Sequence, residues 1–312
     1  MKDVKEFATY VAQHLFDEEP EMAETCHAEV TEVTKNNGNI LTGITIKEDG
    51  CNIAPTIYVN SGFDKYQDGT PVEFIIDDYL RTYKNSKPSA NFSVDFFTDF
   101  EQAKDRLTMK LVNAEKNSDL LAEVPHYLVG DLALLFQVQV EATELGNATI
   151  TVRNEHSEMW NVDTEELFNQ AKQNMLEKQP IRIQSMLEVL SEMMGGDIPE
   201  DMLGEAEPPM YVMSNETKIN AASGMIFTEK LQEFAELHNC NMFILPSSIH
   251  ELLLVPDNGS IDVDNLSQMV HEVNTTQVSP EEVLSDTVYY YDKDARALMF
   301  AESKEILDIV AA

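Results

Sequence analysis

Tyr127-Leu128-Val129-Gly130-Asp131-Leu132-Ala133-Leu134-Leu135-Phe136-Gln137-Val138-Gln139-Val140-Glu141 carries the strongest strand pattern in the chain. Leu132, Leu134, Phe136, Val138 and Val140 fall on one side, and Gln137, Gln139 and Glu141 on the other. Side chains alternate across a strand, so the pattern predicts one buried face and one wet face. A strand wet on one face belongs to an antiparallel sheet, because parallel sheets are covered on both sides. Gly146-Asn147 supplies a turn, and residues 148–153 return as a partner strand.

Toward the N-terminus the spacing changes. Val4, Phe7, Ala8, Val11 and Leu15 make one apolar stripe and predict a helix over residues 2–16. Strands are expected at 25–34, 39–47 and 52–60, with turn chemistry at Asn36-Asn37-Gly38 and Glu48-Asp49-Gly50, hence a meander. Thr70-Pro71-Val72-Glu73 opens a helix with a capping box and proline at its first position, burying Val72, Ile75, Ile76, Tyr79 and Tyr83. A short helix near 99–107 and a strand near 108–113 follow.

Toward the C-terminus, Asp163-Thr164-Glu165-Glu166 opens a helix to about residue 178. Residues 194–209 hold three Gly, three Pro and five acids with no base, which marks a linker or lid. Then come strand 210–213, helix 228–239, strands 241–245 and 252–256, and helix 263–275. Ser279-Pro280-Glu281-Glu282 looks like a third capping box, and a hairpin of 287–291 and 297–301 turns at Asp292-Lys293-Asp294. The fold class is α+β: mixed or antiparallel sheets flanked by helices, in two lobes. The expected lobes are residues 1–120 (helix, three-strand meander, helix) and residues 121–312, joined near 115–126.

Four segments of this second lobe resemble a known family. They are Val129-Gly130-Asp131-Leu132, Val162-Asp163-Thr164-Glu165-Glu166-Leu167, Ser247-Ser248-Ile249-His250-Glu251-Leu252-Leu253-Leu254 and Ser279-Pro280-Glu281-Glu282-Val283-Leu284-Ser285-Asp286. The chain resembles an uncharacterised domain-of-unknown-function family common in anaerobic Gram-positive bacteria, along most of its length. Residues 125–300 are distantly similar to the YtpQ-like proteins. The resemblance implies a bacterial, cytoplasmic origin and carries no activity, cofactor or catalytic residue.

Of the 312 residues, 43% are hydrophobic, enough for a full core. Asp and Glu number 56 against 21 Lys and Arg, a net charge of −35. A field of that sign repels phosphate backbones and anionic membranes, so direct nucleic-acid binding and membrane attachment are not expected. The longest apolar runs, such as Leu132 to Phe136, fall far short of the ~18 residues a span requires. Three cysteines (Cys26, Cys51, Cys240) and no leader pattern behind Met1 suit a cytoplasmic protein with reduced thiols.

Chemistry motifs are sparse. Ser247, Ser248, His250 and Glu251 bring hydroxyl, imidazole and carboxylate together, but without a nucleophile elbow or oxyanion donors. His238, Cys240 and His250 are zinc-type ligands without paired spacing. Cys26 and His27 are neighbours on a strand and point opposite ways. Asp262 and Asp264 suit a helix N-cap better than a calcium loop. No cofactor is read from the sequence. Seven methionines between Met186 and Met225 suit core filling or a flexible apolar surface, with Met202 and Met210 as candidate contacts. Tyr290, in the Tyr289-Tyr290-Tyr291 run, is a candidate interface anchor.

Three functions remain open on this basis. The first is a non-catalytic module that binds a protein with a basic surface. The second is a hydrolase or metal-dependent enzyme built from dispersed acids. The third is a nucleic-acid charge mimic acting on a DNA-binding enzyme. The oligomeric state is open as well.

Overall fold

A computed structural model describes residues 1–52, 54–86, 95–143, 146–196 and 209–311. Backbone contacts divide the chain into two compact units, residues 1–96 with 140–148, and residues 97–139 with 149–312. The expected lobe boundary at 120 lies inside the second of these. Residues 97–120 join that unit because β4 (Leu107–Asn113) pairs along its length with β6 (Leu132–Thr143).

The first unit begins with α1 (Val4–His14), capped by Asp3, whose carboxylate accepts from Glu6 N–H at 2.8 Å. Phe7, Ala8 and Val11 are buried, and Phe7 meets the rings of Phe63 and Tyr66 at 5.6 Å. The acidic stretch after it forms α2 (Pro20–Thr25), a helix the sequence did not announce. β1 (Cys26–Thr34), β2 (Ile40–Glu48) and β3 (Thr56–Tyr58) make the expected antiparallel meander. Asn37 and Gly38 turn the first hairpin at φ +62 and +66. β3 is only three residues long, where nine were expected. Pro55 just before it has no N–H for the ladder and only accepts from Ile46 N–H at 2.9 Å. α3 (Asn60–Gln67) and α4 (Val72–Ser86) complete the unit, with Ile75, Tyr79 and Tyr83 buried.

The second unit holds two sheets, apart from residues 140–143 of one strand and 146–148 of the next, which count with the first unit. One has the order β14-β5-β6-β4, with β7 (Gly146–Thr151) also on β6; β5 is His126–Val129 and β14 is Ile309–Ala311. The expected long strand is thus two strands of a hairpin. Gly130 sits at φ +62 and turns the chain there, so Val129 pairs with Leu132. The expected wet face holds at Gln139, which is exposed, but not at Gln137. Ala133, Leu135 and Gln137 are buried along with Leu134 and Phe136. Val112, Leu121 and Val124 pack on Ala133 and Leu135, with Leu121 supplied by α6 (Ser118–Leu121). α5 (Phe100–Ala103) precedes β4. α7 (Asn154–Trp160) and α8 (Thr164–Lys178) follow β7, and Asp163 caps α8. Asn174 of α8 donates to the Lys104 and Leu107 carbonyls at 2.7 and 2.9 Å.

The other sheet is antiparallel throughout, in the order β13-β12-β10-β11-β9-β8. Its strands are β8 (Arg182–Ser185), β9 (Tyr211–Ser214), β10 (Met242–Leu245), β11 (Leu252–Pro256), β12 (Tyr289–Asp292) and β13 (Ala297–Phe300). α9 (Met186–Met194) follows β8, while α10 (Thr228–His238) and α11 (Val263–Thr276) alternate with the strands. Leu266 and Val270 of α11 pack with Phe243, Val255 and Tyr290. Tyr291 points the other way and donates to Gln232 of α10 at 2.9 Å. Gly146-Asn147, expected as a turn, lies within β7. The expected helix at Ser279 is a turn that runs into a bridge between Val283 and Ser248, because pairing with that neighbour holds the chain extended. Of the segment 194–209, residues 197–208 lie outside the described residues.

Candidate functional site

Three of the four segments that carry the family resemblance meet in the second unit. The stretch Pro246–His250 runs beside Glu282–Ser285. Ile249 N–H donates to Glu282 O at 2.9 Å, Leu284 N–H to Ser247 O at 3.3 Å, and Ser285 N–H to Pro246 O at 3.0 Å. Asp131, from the β5–β6 turn, joins them. One of its carboxylate oxygens accepts from Ser285 Oγ at 2.6 Å and Thr287 Oγ1 at 3.0 Å, and the other from the Tyr289 hydroxyl. Ser285 and Tyr289 are buried. Burial first, then the Asp131 charge, pushes the Tyr289 hydroxyl well above its ordinary range. Gly130 is required beside it for two reasons. Its φ is +62, and a Cβ there would lie 2.8 Å from the Phe300 ring.

His250 sits in the same region and is half-buried. Its Nδ1 accepts from Asn220 N–H at 3.3 Å, and its Nε2 lies 3.5 Å from Glu282 Oε1. Asn220 adopts φ +52 and also donates from its side chain to Gln137 Oε1 at 3.0 Å. Ser248 Oγ accepts from the backbone N–H of His250 at 3.0 Å. Both imidazole nitrogens are therefore occupied, and neither faces a serine hydroxyl. A serine nucleophile needs a base nitrogen hydrogen-bonded to it, so this constellation is a staple between two chain segments and not a triad.

The zinc-type candidates each have other partners. His238 packs its ring on Phe234 at 4.3 Å and Tyr211 at 5.0 Å. Cys240 follows the end of α10, its thiol pushed up by burial and then by Asp257. His250 is held as described. Among the described residues no three His, Cys, Asp or Glu side chains are arranged to hold a metal ion. Cys26 is buried with its sulfur 3.8 Å from the Tyr83 hydroxyl, His27 is exposed, and Cys51 is exposed. Asp262 caps α11, accepting from Asp264 N–H at 3.0 Å.

The interaction candidates fare differently. Tyr290 is buried, which corrects its expected role as an exposed anchor. Its ring meets Phe243 at 5.0 Å, Lys304 Nζ lies 3.4 Å over it, and its hydroxyl donates to Asp257 at 2.7 Å. Burial, then the bond to Asp257, raises that hydroxyl to about 12. Strand alternation turns Tyr290 toward α11, and three consecutive tyrosines give no sign of which face is closed. Met210 packs half-buried against the same core, and Met202 lies outside the described residues. The methionines divide: Met213 and Met225 are buried, whereas Met193 and Met194 are exposed.

Most acids face outward, Asp131 and Asp257 being half-buried on the hydroxyls described above. Ten polar side chains are buried among the described residues, and none is Asp, Glu, Lys or Arg. Several cations sit beside surface carboxylates, including Lys47 with Glu29 at 2.5 Å, Lys5 with Glu32 at 3.0 Å and Lys104 with Glu101 at 2.6 Å. A shallow cleft of about 360 Å³ along α8 is lined by Asp163, Glu165 and Glu166 with Asn169, Gln170 and Gln173. Glu165 and Asp163 add to burial in raising the Tyr127 hydroxyl. No helix among the described residues is long and apolar enough to cross a membrane.

Neither a curated protein nor a solved structure matches the chain. A family model described as "Family of unknown function (DUF5688)" matches residues 4–293. That span includes the Asp131–Ser285–Tyr289 network, the His250 staple and every strand of the two sheets except β13 and β14, and the chain belongs to this family of unknown function.

Proposed function

We propose that the protein is a non-catalytic binding module of the bacterial cytoplasm, which engages a partner protein through that partner's basic surface. The observation that supports this is the outward placement of most of the acidic surplus: no described Asp or Glu is a fully buried residue, Asp131 being half-buried, in a chain of net charge −35. A field of that sign steers cationic partners inward and speeds encounter, while it repels phosphate backbones and anionic lipid. Surface cations such as Lys5, Lys47 and Lys104 sit beside carboxylates, which offsets their charge locally.

Immobilised full-length protein exposed to extract of its native cell tests this. Basic proteins should dominate the captured set and elute as salt rises toward about 0.5 M, where the Debye length falls to a few ångströms. A captured set without basic enrichment, or one held undiminished at that salt, sinks the proposal.

A further inference from the structure

α7 starts without an acceptor in its N-cap side chain. Arg153 holds the N-cap position, and a guanidinium can only donate. The capping contact comes instead from His156, three residues in, whose Nδ1 accepts from Arg153 N–H at 3.0 Å. Glu or Gln usually makes that reach, and neither loses its acceptor near neutral pH. An imidazole does. An Nδ1 that accepts leaves the proton of neutral His156 on Nε2, which lies 3.7 Å from Glu155 Oε1. A second proton has only Nδ1 to go to, where it meets the Arg153 N–H donor to donor.

The same ring is packed among aromatics. Phe97 meets it edge-on at 4.7 Å, and the Trp160 ring lies 6.1 Å away. Trp160 is buried and donates from Nε1 to Phe97 O at 2.9 Å. Burial is the largest influence on His156 and holds it below the usual imidazole range. Of the charges on its own helix, Glu155 favours the protonated ring and Arg153 opposes it. The loop before β5 brings Glu123, which pairs with Arg153. The turn that carries Phe97 has Asp95 two residues before it. α5 packs Phe100 on Trp160 at 5.8 Å and contributes Asp99 and Glu101, which bond nearby to Gln102 and Lys104. We infer that His156 is an acid-sensitive switch at the start of α7: its protonation expels the Arg153 N–H from the cap and loosens the first turn together with the Trp160–Phe97 contact. The neutral ring's contribution to stability is complete above about pH 6.5, where an unfolded chain's imidazole is neutral too. It is lost as pH falls through that value and levels off below the lowered folded one. None of this depends on the binding role proposed above.

Trp160 is the only tryptophan in the chain, so its fluorescence reports this contact in the full-length protein. Its emission should fall as pH is lowered from about 7.5 to about 5.5, with a midpoint below about 6.5. Over the same range the Arg153 amide should lose about fivefold in hydrogen-exchange protection, after correction for the intrinsic rate, the equivalent of one lost hydrogen bond. His156→Gln keeps an acceptor at the same position that does not titrate, so both changes should vanish in it. A wild type that shows neither change, or the same changes in the folded Gln variant, overturns the inference. Should that variant fail to fold, nitrogen NMR spectra of the wild-type imidazole decide. An Nε2–H tautomer at neutral pH that becomes imidazolium in step with the Trp160 change supports the switch. An Nδ1–H tautomer, or a titration out of step with Trp160, overturns it.

Discussion

Asp131 accepts from three hydroxyls at once, and two of them, on Ser285 and Tyr289, belong to buried residues. Asp131→Ala leaves those donors without an acceptor in a site too closed for water to repair fully. Each orphaned buried donor costs about 1–3 kcal/mol, so the variant should lose about 3 kcal/mol. A fall in the urea midpoint at unchanged slope measures it, and a loss under about 1 kcal/mol would refute the network's importance. Little of this was legible in the sequence. Asp131 lay inside an apparently continuous strand, and its partners are 154 to 158 residues away. The one local signal was Gly130-Asp131, a turn dipeptide that the strong alternation around it outweighed. His250 and Ser248 were noticed because their types suggest chemistry, but which ring nitrogen meets which neighbour is a tertiary fact. Asn220, whose left-handed backbone presents its N–H to His250, gave no signal at all.

The pairing of α3 with α4 turns on a single atom's width. A Cβ on Gly62 would fall 1.8 Å from the Tyr79 hydroxyl oxygen and 3.2 Å from Ile75. Gly62→Ala should therefore push the two helices apart and cost about 2 kcal/mol, within the usual range for overpacking. Tyr79→Phe removes the nearest atom, so the double variant should recover part of the loss; chemical denaturation of both, with no recovery, would locate the clash elsewhere. Elements with strong local signals were legible: α1, β1, β2, α8, α10, β11 and α11 follow from apolar spacing and from caps such as Asp3, Asp163 and Asp262. The failures share a cause. α3 starts with Asn60-Ser61-Gly62, a poor helix signal, because Gly62 answers to Tyr79 and not to helix propensity. The Ser279 box has a helix-start spelling, but pairing with Ser248 held the chain extended. α9 has good caps and no buried stripe, so nothing in its setting required a helix.

At the scale of the whole chain, −35 charges on the outside repel one another in the compact state more than in the expanded one. Raising salt from about 0.02 to 0.5 M shortens the Debye length from some 20 Å to about 4 Å. The thermal midpoint should rise by several degrees over that range in a non-binding salt. A flat or falling midpoint would mean that the surface ion pairs, which salt weakens, outweigh the general repulsion. Fold class and charge were both legible early, since each is a sum over many residues and tolerates local error. The division into units was less so, because it depends on β4 reaching across to β6.

The carboxylate at Asp131 also bears on the order of events in folding. Bringing it to Tyr289 closes a loop of 158 residues, at an entropic cost of about 4–5 kcal/mol before any constant is added. The three hydroxyl bonds repay about 3 kcal/mol, so they cannot nucleate this encounter. They form once hydrophobic assembly has already delivered both ends, on the native side of the barrier. Their effect is a latch, one that slows escape from the folded state and leaves the speed of arrival nearly untouched.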